Sequence, residues 1–314
     1  MEAPIVLYIF KRLLLLIPLL LGITLITFSL TKALPGDPVL GLVGERASPE
    51  AIENIRKQIG SDKSLPEQYA GYIGLLMRGE FGRSHYTGRP VSKDLLLKFP
   101  NTMLLALAAM LLAVPLGISL GFYSAWKRGT FIDGLISSVS VIGISVPVFW
   151  SGLVIMLIAS FYLRLLPPSG TGGLRFLVLP ALTLSLPAVA TIARVTRSSV
   201  IDILGMPFLK TVKAKGVGTG RLITVHVLRN ALIPIVTVIG LDFGSYLNGA
   251  VLTETIFGWD GIGRMAMEGI IKRDYPVVMG TIIVGTVVFV LVNLLVDISY
   301  KYLDPRVRLY AEKG

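Results

Sequence analysis

Long apolar runs separated by polar stretches dominate the chain. Six of them, 10–31, 101–124, 131–162, 176–194, 232–253 and 277–299, are long enough to cross a hydrocarbon layer of about 30 Å. The pattern predicts an all-α polytopic protein with six transmembrane helices, and the even number places both termini on one side. The first run, Leu13 to Leu30, follows Lys11 and Arg12 as a signal peptide would. It is longer than a signal core, and Leu34-Pro35-Gly36-Asp37-Pro38 is a poor cleavage site, so the run is read as a retained span. The segment 32–100 is the one sizeable water-exposed part on the far side. Its stretches 49–60 and 66–78 carry weak helical periodicity and predict a small helical cap rather than an independent domain. Gly79 to Pro90 is turn-rich and is expected to lie back on the membrane. Inside the third run Pro147 predicts a kink, because proline removes a backbone hydrogen bond.

Composition turns this pattern into a class. With 53% hydrophobic residues, 16% charged residues and a mean hydropathy of +0.74, a chain of 314 residues is too apolar for a soluble globule. The net charge of +11 is largely a topology signal. With the termini inside, 15 Lys and Arg residues fall on the inner side, against 2 and 3 in the outer loops near 163–175 and 254–276. The other 10 lie between Lys32 and Pro100, a segment too long for that rule and mixed with 8 acids. The basic residues do not gather on one soluble domain, so nucleic acid is not the expected partner. Cysteine is absent, which excludes disulfides and thiolate metal sites.

The stretch from Arg194 to Pro234 is the most informative polar segment. It carries Arg194, Arg197, Lys210, Lys213, Lys215, Arg221 and Arg229 against a single acid, Asp202. Pro207 suits a first helical position and Gly216 the residue just past a helix end, which predicts roughly nine residues, about 13 Å, of helix. Phe208, Leu209 and Val212 form a small apolar stripe on it, while Lys210 and Lys213 share another side. One face is expected to dock and the other to meet acidic groups. Gly216, Gly218 and Gly220 then reverse the chain into a second basic run, giving a helix–turn–helix across the inner membrane surface. A generic positive-inside loop is the plainer alternative.

Several short motifs stand in order along the chain. After Leu34-Pro35-Gly36-Asp37-Pro38 come Phe81-Gly82-Arg83-Ser84, Arg194-Val195-Thr196-Arg197-Ser198-Ser199, Lys213-Ala214-Lys215-Gly216 and His226-Val227-Leu228-Arg229-Asn230-Ala231-Leu232-Ile233-Pro234. Then follow Thr253-Glu254-Thr255-Ile256-Phe257-Gly258-Trp259, Arg273-Asp274-Tyr275-Pro276-Val277-Val278 and Asp304-Pro305-Arg306. Each alone is weak; in this order and spacing the chain resembles, over nearly its whole length, the permeases of the dipeptide, oligopeptide and nickel branch of bacterial ATP-binding-cassette importers. The resemblance implies a type I importer permease fold. It also implies that Phe208, Leu209, Lys210, Val212, Lys213, Ala214, Lys215 and Gly216 form the element that fits a groove on the ATPase. Lys210-Thr211-Val212 stands where Glu-Ala-Ala is usual, and the gap from Gly216 to Pro234 is longer than in most importers. The longer gap is shared by the peptide branch. The implied partners are a second similar permease, two cytoplasmic ATPases, an extracytoplasmic solute-binding protein and membrane lipid. The cargo is peptides, or alternatively nickel or a metal chelate, and the location is the bacterial inner membrane.

Other candidates are weighed on their chemistry. Gly216-Val217-Gly218-Thr219-Gly220 lacks the preceding strand and the Lys-Ser/Thr ending of a phosphate loop, so no nucleotide site is expected in the chain itself, and no cofactor. Gly117-Ile118-Ser119-Leu120-Gly121 fits a nucleophile elbow, but its glycines suit a small-residue packing face with Ser119 bonding back to its own helix. The two histidines, His85 and His226, are outside the spans, which leaves such a serine without a base and makes metal ligation poor. Asp242 lies within the fifth span, where a carboxylate is expensive unless it faces a polar cavity. With Ser245, Tyr246 and Asn248 it is a candidate lining for the translocation path, a structural partner to a neighbouring helix being the alternative. Asp297 and Asn293 are read as interfacial caps. The stretch 254–276 suits a hairpin dipping toward the pore mouth. The resemblance makes Glu254, Trp259, Asp260, Gly261 and Arg264 the outer gate and binding-protein contact. The resulting organisation is 1–31, the extracytoplasmic 32–100, a core 101–300 holding the coupling loop 195–231, and the tail 301–314. An ATP-independent channel or ion-coupled carrier is the reading from another class; it calls for charges paired across several spans, and few are present.

Overall fold

The computed structural model describes residues 3–33, 39, 48–58 and 60–303. The motifs Leu34-Pro35-Gly36-Asp37-Pro38 and Asp304-Pro305-Arg306 lie outside the described residues. Within them the secondary structure is helical, apart from one isolated bridge between Arg83 and Pro90. The helices are α1 (Ala3–Ala33), α2 (Pro49–Gln58), α3 (Leu65–Met77), α4 (Val91–Trp126), α5 (Phe131–Ser145), α6 (Val148–Met156), α7 (Leu174–Leu204) and α8 (Pro207–Ala214). They continue as α9 (Arg229–Leu247), α10 (Val251–Ile256), α11 (Ile262–Lys272) and α12 (Tyr275–Leu303).

Five helices, α1, α4, α7, α9 and α12, are each long and apolar enough to span the bilayer. The sixth predicted span is a broken pair. α5 and the helix that begins with α6 and runs on as a π-helix to Tyr162 meet at 99°. The expected kink is therefore a right-angle corner, and the cause is local. A proline drives the residue before it out of the helical region, and Val146 is extended at φ −77° and ψ 127°. Pro147 is extended as well and becomes the cap of α6.

α7 also exceeds the apolar run that predicted it. Its helix continues past Arg194 to Leu204, because Thr196 and Val200 stay buried and Arg197 finds an acid on α5. α4 and α7 form the most extensive helix pair and meet through small residues. A Cβ added at Gly117 would sit 2.7 Å from Cβ of Ile192, and one at Gly121 would collide with the backbone carbonyl of Ala193. This is the packing face expected of those glycines; Ser119 is exposed and makes no hydrogen bond among the described residues. α9 fits against α7 and α12, and α12 also carries α1. Asp297 accepts hydrogen bonds from Tyr8 Oη and Arg12 Nη2, both at 2.7 Å, so it ties α12 to α1 rather than acting as a cap. Apart from such ties α1 is exposed along its apolar length. α3 lies against α1, where Tyr69 Oη donates to the Leu21 carbonyl at 3.2 Å. Between α3, the turn 79–90 and the ends of α1 and α12 lies a cavity of about 1250 Å³ lined by Lys63, Glu67, Tyr72, Arg83 and Lys93.

Gly121→Leu is expected to cost at least about 1–3 kcal/mol by overpacking the α4–α7 contact. Comparing the thermal unfolding of the detergent-solubilised variant with the parent measures it. An unchanged transition would show that the two helices separate at no cost.

Candidate functional site

The basic segment folds as a short helix anchored at the end of α7. Pro207 occupies the first position of α8, and Gly216, just past its end, has φ 77°, a left-handed backbone that suits glycine. The predicted apolar stripe divides. Leu209 is buried and Val212 packs beside it, both in a cluster with Val200, Ile203, Leu222 and Val227. Phe208 faces out with Lys210, Ala214 and Lys215. Leu209 therefore anchors the helix to the chain itself, with Val212 partly buried beside it, and this part of the predicted stripe faces inward. Of Lys213 the structure gives the backbone position alone. Beyond the glycines, Thr219–Arg221 makes one turn and Leu222–Leu228 a π-helix that runs directly into α9.

The four candidate pathway residues, three on α9 and Asn248 just past its end, do not share one surface. Ser245 is exposed on the open side of α9 that carries Leu241; Asn248, just past the end of α9, is exposed too, with its side-chain oxygen against Gly285 of α12. Asp242 is half-buried at the edge of that side, and its Oδ2 is buried without a hydrogen-bond partner among the described residues. Tyr246 turns inward: its hydroxyl donates to the Leu184 carbonyl at 2.7 Å and its ring packs into the core between α4, α7 and α12. A step of four residues along a helix rotates a side chain by about 40°, enough to carry Tyr246 off the open side.

At the opposite end α10 and α11 form the expected hairpin, but most of its candidate residues point inward. Glu254 is 0% exposed and Trp259 2%, and Gly261 is buried too. They are internal ties, so direct contact with a binding protein falls away as their role. Glu254 Oε1 accepts from Thr102 Oγ1 at 2.7 Å, and its Oε2 accepts the backbone N–H of Arg264 at 2.9 Å, in the first turn of α11. A carboxylate there also meets the positive end of the helix dipole. Thr102 Oγ1 in turn accepts the N–H of Ile262 at 2.9 Å, and Trp259 Nε1 donates to the Asn101 carbonyl at 2.9 Å. Asp260 pairs with Lys98, and Arg264 Nη1 donates to the Gly258 carbonyl at 3.0 Å. Asp260 and Arg264 are half-buried and form the rim.

Two motifs that are far apart in sequence meet beside this hairpin. Asp274, buried between α11 and α12, accepts a hydrogen bond from Ser84 Oγ and another from the His85 N–H at 3.0 Å. The sequence pattern does not mark Thr102, Lys98 or Asp274 as site residues. Asp274 and Ser84 each stood in a motif, but nothing in the sequence pairs them.

Comparison with known proteins follows the same outline. The family described as "Binding-protein-dependent transport system inner membrane component" matches residues 113–309, and the model of its N-terminal part matches 5–106. The chain belongs to this family. It is a multi-pass inner-membrane permease by that membership and by its apolar helices. The permease is 39% identical to the dipeptide transport system permease protein DppB of Alkalihalophilus pseudofirmus, covering 96% of this chain and 99% of the relative. It is 41% identical to the di/tripeptide transport system permease protein DppB of Pseudomonas aeruginosa, covering 96% and 98%. Its fold is similar to a chain of the MetNI methionine ABC transporter solved in inward facing conformations, with a TM-score of 0.57 and 15% identity over 67% of the permease and 96% of that chain.

Burial raises the Glu254 carboxyl above the ordinary carboxylate range, against the lowering effect of its backbone and Thr102 hydrogen bonds. The folded permease therefore holds this proton more tightly than the unfolded chain, and stability from this group falls as pH rises from the ordinary range through the raised value. Glu254→Gln is expected to flatten that slope. Thermal unfolding of both proteins between about pH 4 and 8 measures it; parallel profiles would mean that Glu254 keeps an ordinary affinity for protons.

Proposed function

We propose that this permease forms the pore of an ATP-driven importer for peptides. The carrying observation is the firmly anchored α8, which offers Phe208, Lys210, Ala214 and Lys215 to solvent at the end of the long α7. Such an element suits a partner that pushes, since force on its outer face passes through Leu209 and Val212 into the core. The excess of basic residues at this end supports a cytoplasmic position for α8 and both termini. The chain carries no phosphate-loop motif, so the nucleotide cycle belongs to partner ATPases. Peptides as cargo follow from the names of the relatives it matches along almost its full length.

In this reading two ATPases grip one α8 each, on this permease and on a second similar one. Closure of the ATPases around ATP draws the two α8 elements together, the spans reorient as rigid bodies, and hydrolysis resets them. The open side of α9, with Ser245, the edge carboxylate Asp242 and Asn248 just past the helix end, lines the path between the permeases. The solute-binding protein delivers cargo at the far end, above the rim formed by Asp260 and Arg264.

Gly216→Arg tests the coupling role. No neighbouring atom lies within 4 Å of the position, so the cost is backbone strain of about 1–2 kcal/mol at the turn. The variant is expected to insert and assemble normally and to lose most peptide-stimulated ATP hydrolysis in reconstituted complex; wild-type stimulation would remove the coupling reading. Asp242→Ala is expected to lower peptide uptake severalfold with assembly intact. Unchanged uptake would take Asp242 out of the path.

A further inference from the structure

The most fully bonded ion pair of the described residues lies at the α8 end of the spans, and the transport reading leaves it unused. Asp133, 5% exposed at the start of α5, accepts two parallel bonds from Arg197 of α7, Nε to Oδ1 at 2.6 Å and Nη2 to Oδ2 at 2.8 Å. It also accepts Ser124 Oγ from the end of α4 at 2.6 Å and the Gly129 N–H from the intervening turn at 3.0 Å. One carboxylate thus joins three helices and a turn, and a forked guanidinium contact fixes orientation as well as distance. Arg197 lies on the same helix whose end carries α8. On the other side, α5 leads through the right-angle corner to α6, and α6 packs on α10 of the outer hairpin.

We propose that Asp133 and Arg197 are positioning residues for transport: they make α5 move as one body with α7 and α8, so that displacement of α8 reaches the α5–α6 corner and the hairpin beyond. This rests on the reading of α8 as the element a motor moves. An ordinary structural pair would stabilise the bundle and leave the ratio of transport to ATP hydrolysis alone. A transmitting pair sets that ratio.

The chain is free of cysteine, so introduced cysteines are the only thiols in this subunit. Phe131, 84% exposed beside Asp133, and Met206, 44% exposed beside α8, take spin labels as Phe131→Cys and Met206→Cys. Met206→Cys with Ile270→Cys on α11 is the reference pair. In the assembled importer in nanodiscs, the 131–206 separation is expected to be the same without nucleotide and with trapped ATP, while the 206–270 separation changes. In Asp133→Asn the 131–206 separation is expected to become state-dependent, and peptide moved per ATP to fall at least about tenfold, a loss of about 1.4 kcal/mol of coupling. Arg197→Lys keeps the charge but not the fork, and is expected to show a smaller fall of the same kind even if Asp133→Asn does not assemble. A 131–206 separation that changes in the parent, or a parental transport ratio in both variants, would overturn the proposal. A reference pair that ignores nucleotide would count instead against the motor reading of α8.

Discussion

A carboxylate withdrawn from water costs several kcal/mol unless donors replace the water, and this chain is organised around three that receive them. Asp133, Glu254 and Asp274 are 5%, 0% and 3% exposed. Each stands where elements distant in sequence converge: α4, α5 and α7 at the first, α4, α10 and α11 at the second, and the turn 79–90 with the α11–α12 junction at the third. Apolar packing between helices in lipid is weakly directional, because lipid chains are as apolar as leucine. A buried acid that needs particular donors supplies the missing direction. It fixes which turn of one helix faces which turn of another.

These ties are unevenly placed. The outer end has two of them, together with the Lys98–Asp260 pair and the Trp259 bond, so the hairpin, the cap turn and the last span form one block. At the α8 end the Asp133 group is joined by an apolar anchor, Leu209 with Val212, next to glycine-rich chain. Close-packed bodies of this kind shift between discrete arrangements rather than deform continuously. In the proposed importer a push on α8 is carried along α7 as a whole, since α7 is both the most enclosed span and the one that ends at α8.

How much of this was legible in the sequence divides by the range of the interaction. Span positions, the proline break, the start of α8 at Pro207 and the turn at Gly216 are local, and the residues that cause them sit at the site of the effect. The length of α7 was not legible. Its last turns are polar in composition and remain helical because Arg197 meets Asp133, some sixty positions away, at 2.6 Å. The same holds for the inward turn of Tyr246 and the burial of Glu254. The Tyr246 hydroxyl reads as lining for a path and the Glu254 carboxylate as part of an outer gate, and only the carbonyl of Leu184 and the hydroxyl of Thr102 reveal that both are already engaged.

Asp242 stands apart from the three satisfied acids. Its side chain lies at the edge of the open side of α9, with an oxygen that is buried and accepts no hydrogen bond among the described residues. Tyr246, one turn away, is the natural donor, and its hydroxyl is committed to α7. A carboxylate left in this position costs more than an asparagine or leucine packed there would. In the proposed importer this oxygen sits at the face that meets the second permease and the passing cargo, where the α-ammonium of a peptide is one group that can supply a donor.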